Sequence, residues 1–123
     1  MAESKKILVV DDDKVFIKLA ENDLTKEGFA VITAQNGEDA ISLAKTENPD
    51  LMLLDFNMPG IDGGEVGNIL KNDHLTQNIP IIFLTALLTK EEEEKRKNMI
   101  HGHYFMAKPY DLKALLKEIH KYI

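Results

Sequence analysis

Five short apolar runs recur along the chain: Ile7–Val10, Val31–Thr33, Leu51–Leu54, Ile81–Leu84 and Tyr104–Met106. Polar residues do not alternate strictly with apolar ones inside them, which is the pattern of strands covered on both faces of a parallel sheet. The intervals between the runs carry helical spacing instead. From Lys14 to Glu27 the apolar positions Val15, Leu19 and Leu24 predict a helix with Gly28 as its C-cap. Ala40, Ile41 and Ala44 mark a second helix, with Asn36 as N-cap. Gly63 to Lys71 predicts a short or mobile helix, because Gly64 and Gly67 each cost about 1 kcal/mol relative to alanine.

A fourth helix is predicted to start at Thr89, where Glu92 completes a capping box. The pairs Glu91/Lys95, Glu92/Arg96 and Glu93/Lys97 place acid before base four residues apart, so the glutamate run reads as a solvated helix start. The last helix, Asp111 to about Tyr122, should bury Leu112, Leu115, Leu116 and Ile119. Strand and helix thus alternate through one α/β domain spanning residues 1–123, and right-handed crossovers put helices on both sides of a five-stranded parallel sheet.

The polar residues at the ends of the runs change the picture from architecture to chemistry. Asp11 and Asp12 follow the first run, Asp55 the third, Thr85 the fourth and Lys108 the fifth. Neighbouring parallel strands would bring all of them to one edge, where open α/β sheets bind ligands. A carboxylate there can act as a nucleophile toward phosphorus, provided the charge on the incoming phosphoryl group is neutralised. Magnesium suits that task, held by one or two carboxylates with carbonyls and waters, and Asp12 and Asp55 suit magnesium. Lys108 could pair with one phosphoryl oxygen and Thr85 donate to another, with the small Ala86 leaving room beside them.

Composition narrows the alternatives. A chain of 123 residues fits one domain and buries roughly two-thirds of the surface its unfolded form exposes. With 44% hydrophobic and 29% charged residues it reads as globular, and no apolar run approaches the ~20 residues of a membrane span. Residues 1–6 carry no secretory-signal pattern, and the absence of cysteine excludes disulfides, thiolate metal sites and a cysteine nucleophile. A cytoplasmic setting is expected, with no membrane partner. A net charge of -6 argues against direct nucleic-acid binding, which needs a basic footprint.

Four segments together carry a resemblance to a known family: Ile7-Leu8-Val9-Val10-Asp11-Asp12-Asp13, Asp55-Phe56-Asn57-Met58-Pro59-Gly60-Ile61-Asp62-Gly63, Pro80-Ile81-Ile82-Phe83-Leu84-Thr85-Ala86 and Lys108-Pro109. In order and spacing they resemble the receiver domain of two-component response regulators of the chemotaxis-regulator type, over essentially the whole chain. The resemblance implies a doubly wound, flavodoxin-like (βα)5 fold with strand order 2-1-3-4-5. It implies that Asp55 is the phosphoacceptor, that Asp12, Asp55 and the backbone carbonyl of Asn57 bind magnesium with Asp11 acting mainly through water, and that Lys108 and Thr85 read the phosphoryl group. Thr85 would move toward the phosphate while Phe105 turns inward. The surface of the helix from Thr89, the fifth strand and the last helix would then change partner affinity.

The implied function is a phosphorelay switch, a phosphoprotein receiving its group from a histidine kinase or phosphotransfer protein and acting on a downstream protein target. It would support only its own phosphoryl transfer and autodephosphorylation, as a monomer or phosphorylation-dependent dimer. Met1 and an end just after the last helix make a stand-alone receiver the simplest account, although an N-terminal receiver of a longer regulator would read the same. Phe105 lacks the hydroxyl of the tyrosine often found at that place, and the usual Gly-Ala pair before the fifth strand appears as His101-Gly102.

Rival readings compete for several residues. Asp13 is read as a helix cap. His101 and His103 lack acidic or thiolate companions and are not read as metal ligands. Lys108 before Pro109 is held extended, with a cis bond possible. Asp11-Asp12-Asp13-Lys14-Val15 also fits the nucleophile motif of haloacid-dehalogenase-like phosphatases, with Asp11 as nucleophile and Asp13 as acid/base, but that reading leaves Asp55 unexplained.

Overall fold

The computed structural model describes residues 4–85, 99–100 and 103–123. The predicted helix from Thr89, together with Ala86 and His101, lies outside the described residues. The elements are β1 (Lys6–Val10), α1 (Lys14–Lys26), β2 (Ala30–Ala34), α2 (Gly37–Glu47), β3 (Leu51–Asp55), α3 (Gly63–Lys71), β4 (Ile81–Thr85), β5 (Met99–Ile100), β6 (His103–Ala107) and α4 (Leu112–Ile119).

The sheet order is β2-β1-β3-β4-β6-β5. Its five parallel strands, β2-β1-β3-β4-β6, are the 2-1-3-4-5 order in chain sequence, so the doubly wound fold stands as expected. One element was not anticipated: β5, two residues long, pairs antiparallel with β6 at the sheet edge. Met99-Ile100 is too short an apolar pair to register as a strand by pattern, and short edge strands of this kind limit unpaired backbone. The β2 and β6 strands each exceed their apolar runs by one residue at both ends, since backbone pairing continues into the flanking alanines and His103.

Residue parity explains how continuous apolar runs cover two faces. In β1 and β3, Leu8, Val10, Met52 and Leu54 face α2 and α3 with Phe83 and Phe105. Ile7, Val9, Leu51 and Leu53 face the other way, against Phe16, Ile17, Ala20 and Leu24 of α1 and Leu115 and Ile119 of α4. Successive side chains of a strand point to opposite faces, so an unbroken apolar run serves both helical layers.

The stripe buried by α1 corrects the sequence reading. Val15 is 80% and Leu19 51% exposed, and of the three residues expected to mark the buried face only Leu24 is inside. The core-facing set is Phe16, Ile17, Ala20 and Leu24, spaced one, three and four residues apart on a single face. In α4, Leu115 and Ile119 are buried, Leu112 and Leu116 half-buried, and the helix ends at Ile119 rather than near Tyr122.

The expected caps Asp13 and Asn36 are in place, and Asp62 and Asp111 cap the following helices as well. Asp13 accepts from the Val15 and Phe16 N–H groups, Asn36 from Asp39, Asp62 from Glu65 and Asp111 from Lys113. At the end of α1 the C-cap is Glu27 rather than the expected Gly28, because the helix closes at Lys26; Gly28, one place on with φ 95°, takes the left-handed conformation that reverses the chain.

The helix α3 is short, as expected, and its glycines have a packing reason. A Cβ on Gly63 would collide with the Asp55 carbonyl and lie 2.6 Å from the Phe56 Cα, and one on Gly67 would lie 2.9 Å from the Phe83 ring. The helix therefore starts in contact with the end of β3, and Gly63 N–H donates to the Phe56 carbonyl at 3.0 Å. Gly63→Ala is expected to destabilise the fold by roughly 1–3 kcal/mol despite the better helix propensity of alanine. Urea unfolding checks this, and an unchanged or raised midpoint would contradict the close approach.

Candidate functional site

Strand register brings the chemistry together. Val10 pairs with Leu54, so Asp11 and Asp55, each one step further, leave the sheet side by side. Asp55 pairs with Leu84 and Thr85 with Ala107, so Thr85 and Lys108 continue the same rim. Backbone bonds carry the pairing past the strand ends: Asp11 N–H to the Ala34 carbonyl at 3.1 Å, Phe56 N–H to Leu84 at 2.9 Å and Lys108 N–H to Thr85 at 3.0 Å. The Lys108–Pro109 peptide is cis.

Asp11 is fully buried and accepts two hydrogen bonds, from the Asp13 N–H at 2.9 Å on Oδ1 and from the Lys108 ammonium at 2.7 Å on Oδ2. The same ammonium lies 3.9 Å from Asp55 Oδ2, so it bridges two carboxylates and is much nearer to Asp11. Asp55, 4% exposed, accepts from the Asn57 N–H at 3.2 Å. Asp12 is exposed at the rim, and one carboxylate oxygen from each of Asp11, Asp12 and Asp55 lies within 4.8 Å of the others. Thr85 donates its hydroxyl to the Asn57 side-chain oxygen at 2.7 Å.

Burial, followed by the neighbouring Asp11 carboxylate, pushes the Asp55 carboxyl from the ordinary 3.8 up to about 6. The Lys108 ammonium and the Asn57 N–H pull it back down, and Asp12 adds a smaller upward push. Among the described residues, three clustered carboxylates face one lysine and form a site short of positive charge. Their hard oxygen donors match magnesium, which takes carboxylates and carbonyls and keeps several waters. The donor chemistry therefore fits the metal implied by the sequence.

Every described residue expected at the site lies on this rim, except Phe105. That side chain is buried one layer below, stacked on Phe83 at 4.9 Å and edge-on to Phe56 at 5.1 Å. Asp13 stands beside the acidic cluster but caps α1. Sequence reasoning missed Phe16, whose ring centroid lies 4.5 Å from the Lys108 ammonium, because the apolar stripe of α1 had been placed one residue away. It also missed Gly63, whose signal was available in the Asp62-Gly63 pair at the start of a predicted helix, and the Asn57 side chain as acceptor for Thr85.

Residues 7–120 match the family described as the response regulator receiver domain. The chain is similar to response regulator PleD of Caulobacter vibrioides, at 40% identity over 113 residues covering 88% of this chain and 24% of that protein. It is 46% identical over 108 residues to the alkaline phosphatase synthesis transcriptional regulatory protein PhoP of Bacillus subtilis, covering 87% of this chain and 43% of that protein. It thus spans about a quarter of the first relative and less than half of the second. Its fold is similar to chemotaxis protein CheY4 of Vibrio cholerae, with a TM-score of 0.82, 26% identity, and coverage of 98% of this chain and 99% of that one.

The raised proton affinity of Asp55 has a stability consequence. Below about pH 4 the group stabilises the metal-free folded state fully, and that contribution is lost as the pH rises through about 6. Asp55→Asn is expected to flatten this loss and, in chelator at neutral pH, to raise stability by about 1–3 kcal/mol. Thermal melts of both proteins across this pH range check it, and parallel profiles would contradict the assignment.

Proposed function

The chain belongs to the response regulator receiver family, and from that premise we propose that it is a phosphorylation-activated switch of a two-component phosphorelay with Asp55 as phosphoacceptor. The observation that carries the reading is the convergence of Asp11, Asp12 and Asp55 within 4.8 Å, with one lysine ammonium between two of them.

In this reading a lone pair of an Asp55 carboxylate oxygen attacks the phosphorus of a phosphohistidine, the P–N bond breaks, and the donor imidazole leaves with a proton from solvent. Asp12, Asp55 and the Asn57 carbonyl would hold magnesium, with Asp11 acting mainly through water. Magnesium, when bound, supplies positive charge to the equatorial phosphoryl oxygens. Lys108 pairs with one of those oxygens, for which its place beside Asp55 is already suited. Thr85 leaves Asn57 to donate to another. Phe105, expected to turn inward on phosphorylation, is already buried against Phe83 and Phe56, so its part is to keep that inward position rather than to move into it. The surface of the helix from Thr89, β6 and α4 then alters its affinity for a protein target.

The donor is a histidine kinase or phosphotransfer protein, and the chain supports only its own phosphorylation and hydrolysis. It works in the cytoplasm as one receiver domain over 1–123, monomeric or dimerising on phosphorylation, without direct contact to nucleic acid or membrane. Among the described residues, no helix is long and apolar enough to cross a membrane. The phosphatase reading has no support in the geometry: Asp13, its acid/base, is committed to capping α1, and Asp11, its nucleophile, is buried under Lys108.

Intact-mass measurement after incubation with magnesium and acetyl phosphate tests the proposal. One phosphoryl group on the wild type and none on Asp55→Asn is expected, with uptake abolished by EDTA. Phosphate turnover persisting in Asp55→Asn would move the nucleophile to Asp11, and failure of the wild type to bind beryllofluoride would leave a constitutive binding module. Lys108→Ala should accept phosphate slowly and fail to change partner affinity once phosphorylated; normal partner binding by the phosphorylated variant would refute the role of the lysine.

A further inference from the structure

A lysine ammonium sits on a flexible four-carbon stem, so the backbone alone does not fix it. Besides its two carboxylates, the Lys108 ammonium lies 4.5 Å from the centroid of the Phe16 ring. That ring meets Tyr110 edge-on, with centroids 5.8 Å apart and planes at 85°. The Tyr110 hydroxyl in turn donates to Asp23 Oδ2 at 2.6 Å. Phe16 and Asp23 are seven residues, or two turns, apart on α1, so one face of that helix presents both to the segment carrying Lys108. Burial first, then the bond to Asp23, raises the proton affinity of the Tyr110 phenol and keeps it a donor.

We propose that Tyr110 and Asp23 are positioning residues, strapping the segment after β6 to α1 so that the Lys108 ammonium is held over Phe16 and beside Asp55. This rests on the phosphoacceptor reading above. The strap is a charge-assisted hydrogen bond two residues from the lysine, of the kind that is short and geometrically demanding. Its loss would leave Lys108 in place on average but less confined, and imprecise placement of a charge-stabilising group slows the chemistry it serves.

The test is a double-mutant cycle on the rate of phosphoryl uptake from acetyl phosphate, with Tyr110→Phe, Lys108→Ala and the double variant. Tyr110→Phe is expected to slow uptake about three- to tenfold in the wild-type background and not at all further in Lys108→Ala. Asp23→Asn, which keeps an acceptor oxygen, should retain most of the rate, whereas Asp23→Ala should match Tyr110→Phe. An equal factor in both backgrounds, or no slowing, would overturn the proposal and indicate a role in stability only. Uptake persisting in Asp55→Asn would instead mark failure of the phosphoacceptor reading. A readout independent of phosphorylation separates the two: the Lys108 ε-methylene protons should show a ring-current shift from Phe16 that Tyr110→Phe diminishes, and an unchanged shift would overturn the strap.

Discussion

Repulsion among Asp11, Asp12 and Asp55 is the constraint around which the rest of the molecule is arranged. Left to itself such a cluster would disperse or take up a proton, and the rise of Asp55 to about 6 records the second tendency. The carboxylates stay together because the backbone leaves them no alternative: each of the two buried ones is the residue that follows or ends a central strand paired on both sides. The sheet therefore stores electrostatic free energy at one rim, and a bound cation or an incoming group paired with one releases it.

That demand explains features of the fold far from the charges. Strands β1 and β3 must be rigid, and both are enclosed apart from Lys6 at the start of β1, with side chains of alternate parity locked into separate helical layers. The turn after Asp55 must leave its carboxylate facing the rim, and Gly63 lets α3 begin against the carbonyl of that same residue. The Lys108 ammonium is divided between partners, closer to Asp11 than to Asp55. Such an arrangement leaves Asp55 only partly compensated, as the proposed phosphoacceptor role would require, while each oxygen of the deeper Asp11 accepts one hydrogen bond.

How far this was legible in the sequence differs from element to element. The apolar runs located every parallel strand, because strands buried on both faces cannot disguise themselves with polar residues. The caps Asp13 and Asn36 were legible because capping is decided by a few neighbouring atoms. The face of α1 was not: Val15, Phe16, Ile17, Leu19 and Leu24 offer two overlapping stripes, and only contact with β1 and β3 selects between them. The candidate residues Asp11, Asp12, Asp55, Thr85 and Lys108 were legible from their places at strand ends, whereas their pairings were not. That Lys108 rests on Asp11, or that Thr85 binds Asn57, depends on side-chain geometry across segments dozens of residues apart.

The Thr85–Asn57 bond also bears on how a small event at the rim could be transmitted. A net hydrogen bond of this kind is worth about 1 kcal/mol, and its partner hydroxyl would exchange it for a stronger bond to a charged phosphoryl oxygen. Moving a two-state equilibrium from mostly one form to mostly the other takes about 5 kcal/mol, more than that exchange alone supplies. The remainder must come from charge neutralisation at the acidic cluster and from repacking below it. Phe105, stacked on Phe83 beneath Thr85, is the packed element nearest to the exchange. In the proposed switch the Thr85–Asn57 bond is a latch weak enough to open, set between an electrostatically strained rim and the packed Phe83–Phe105 pair.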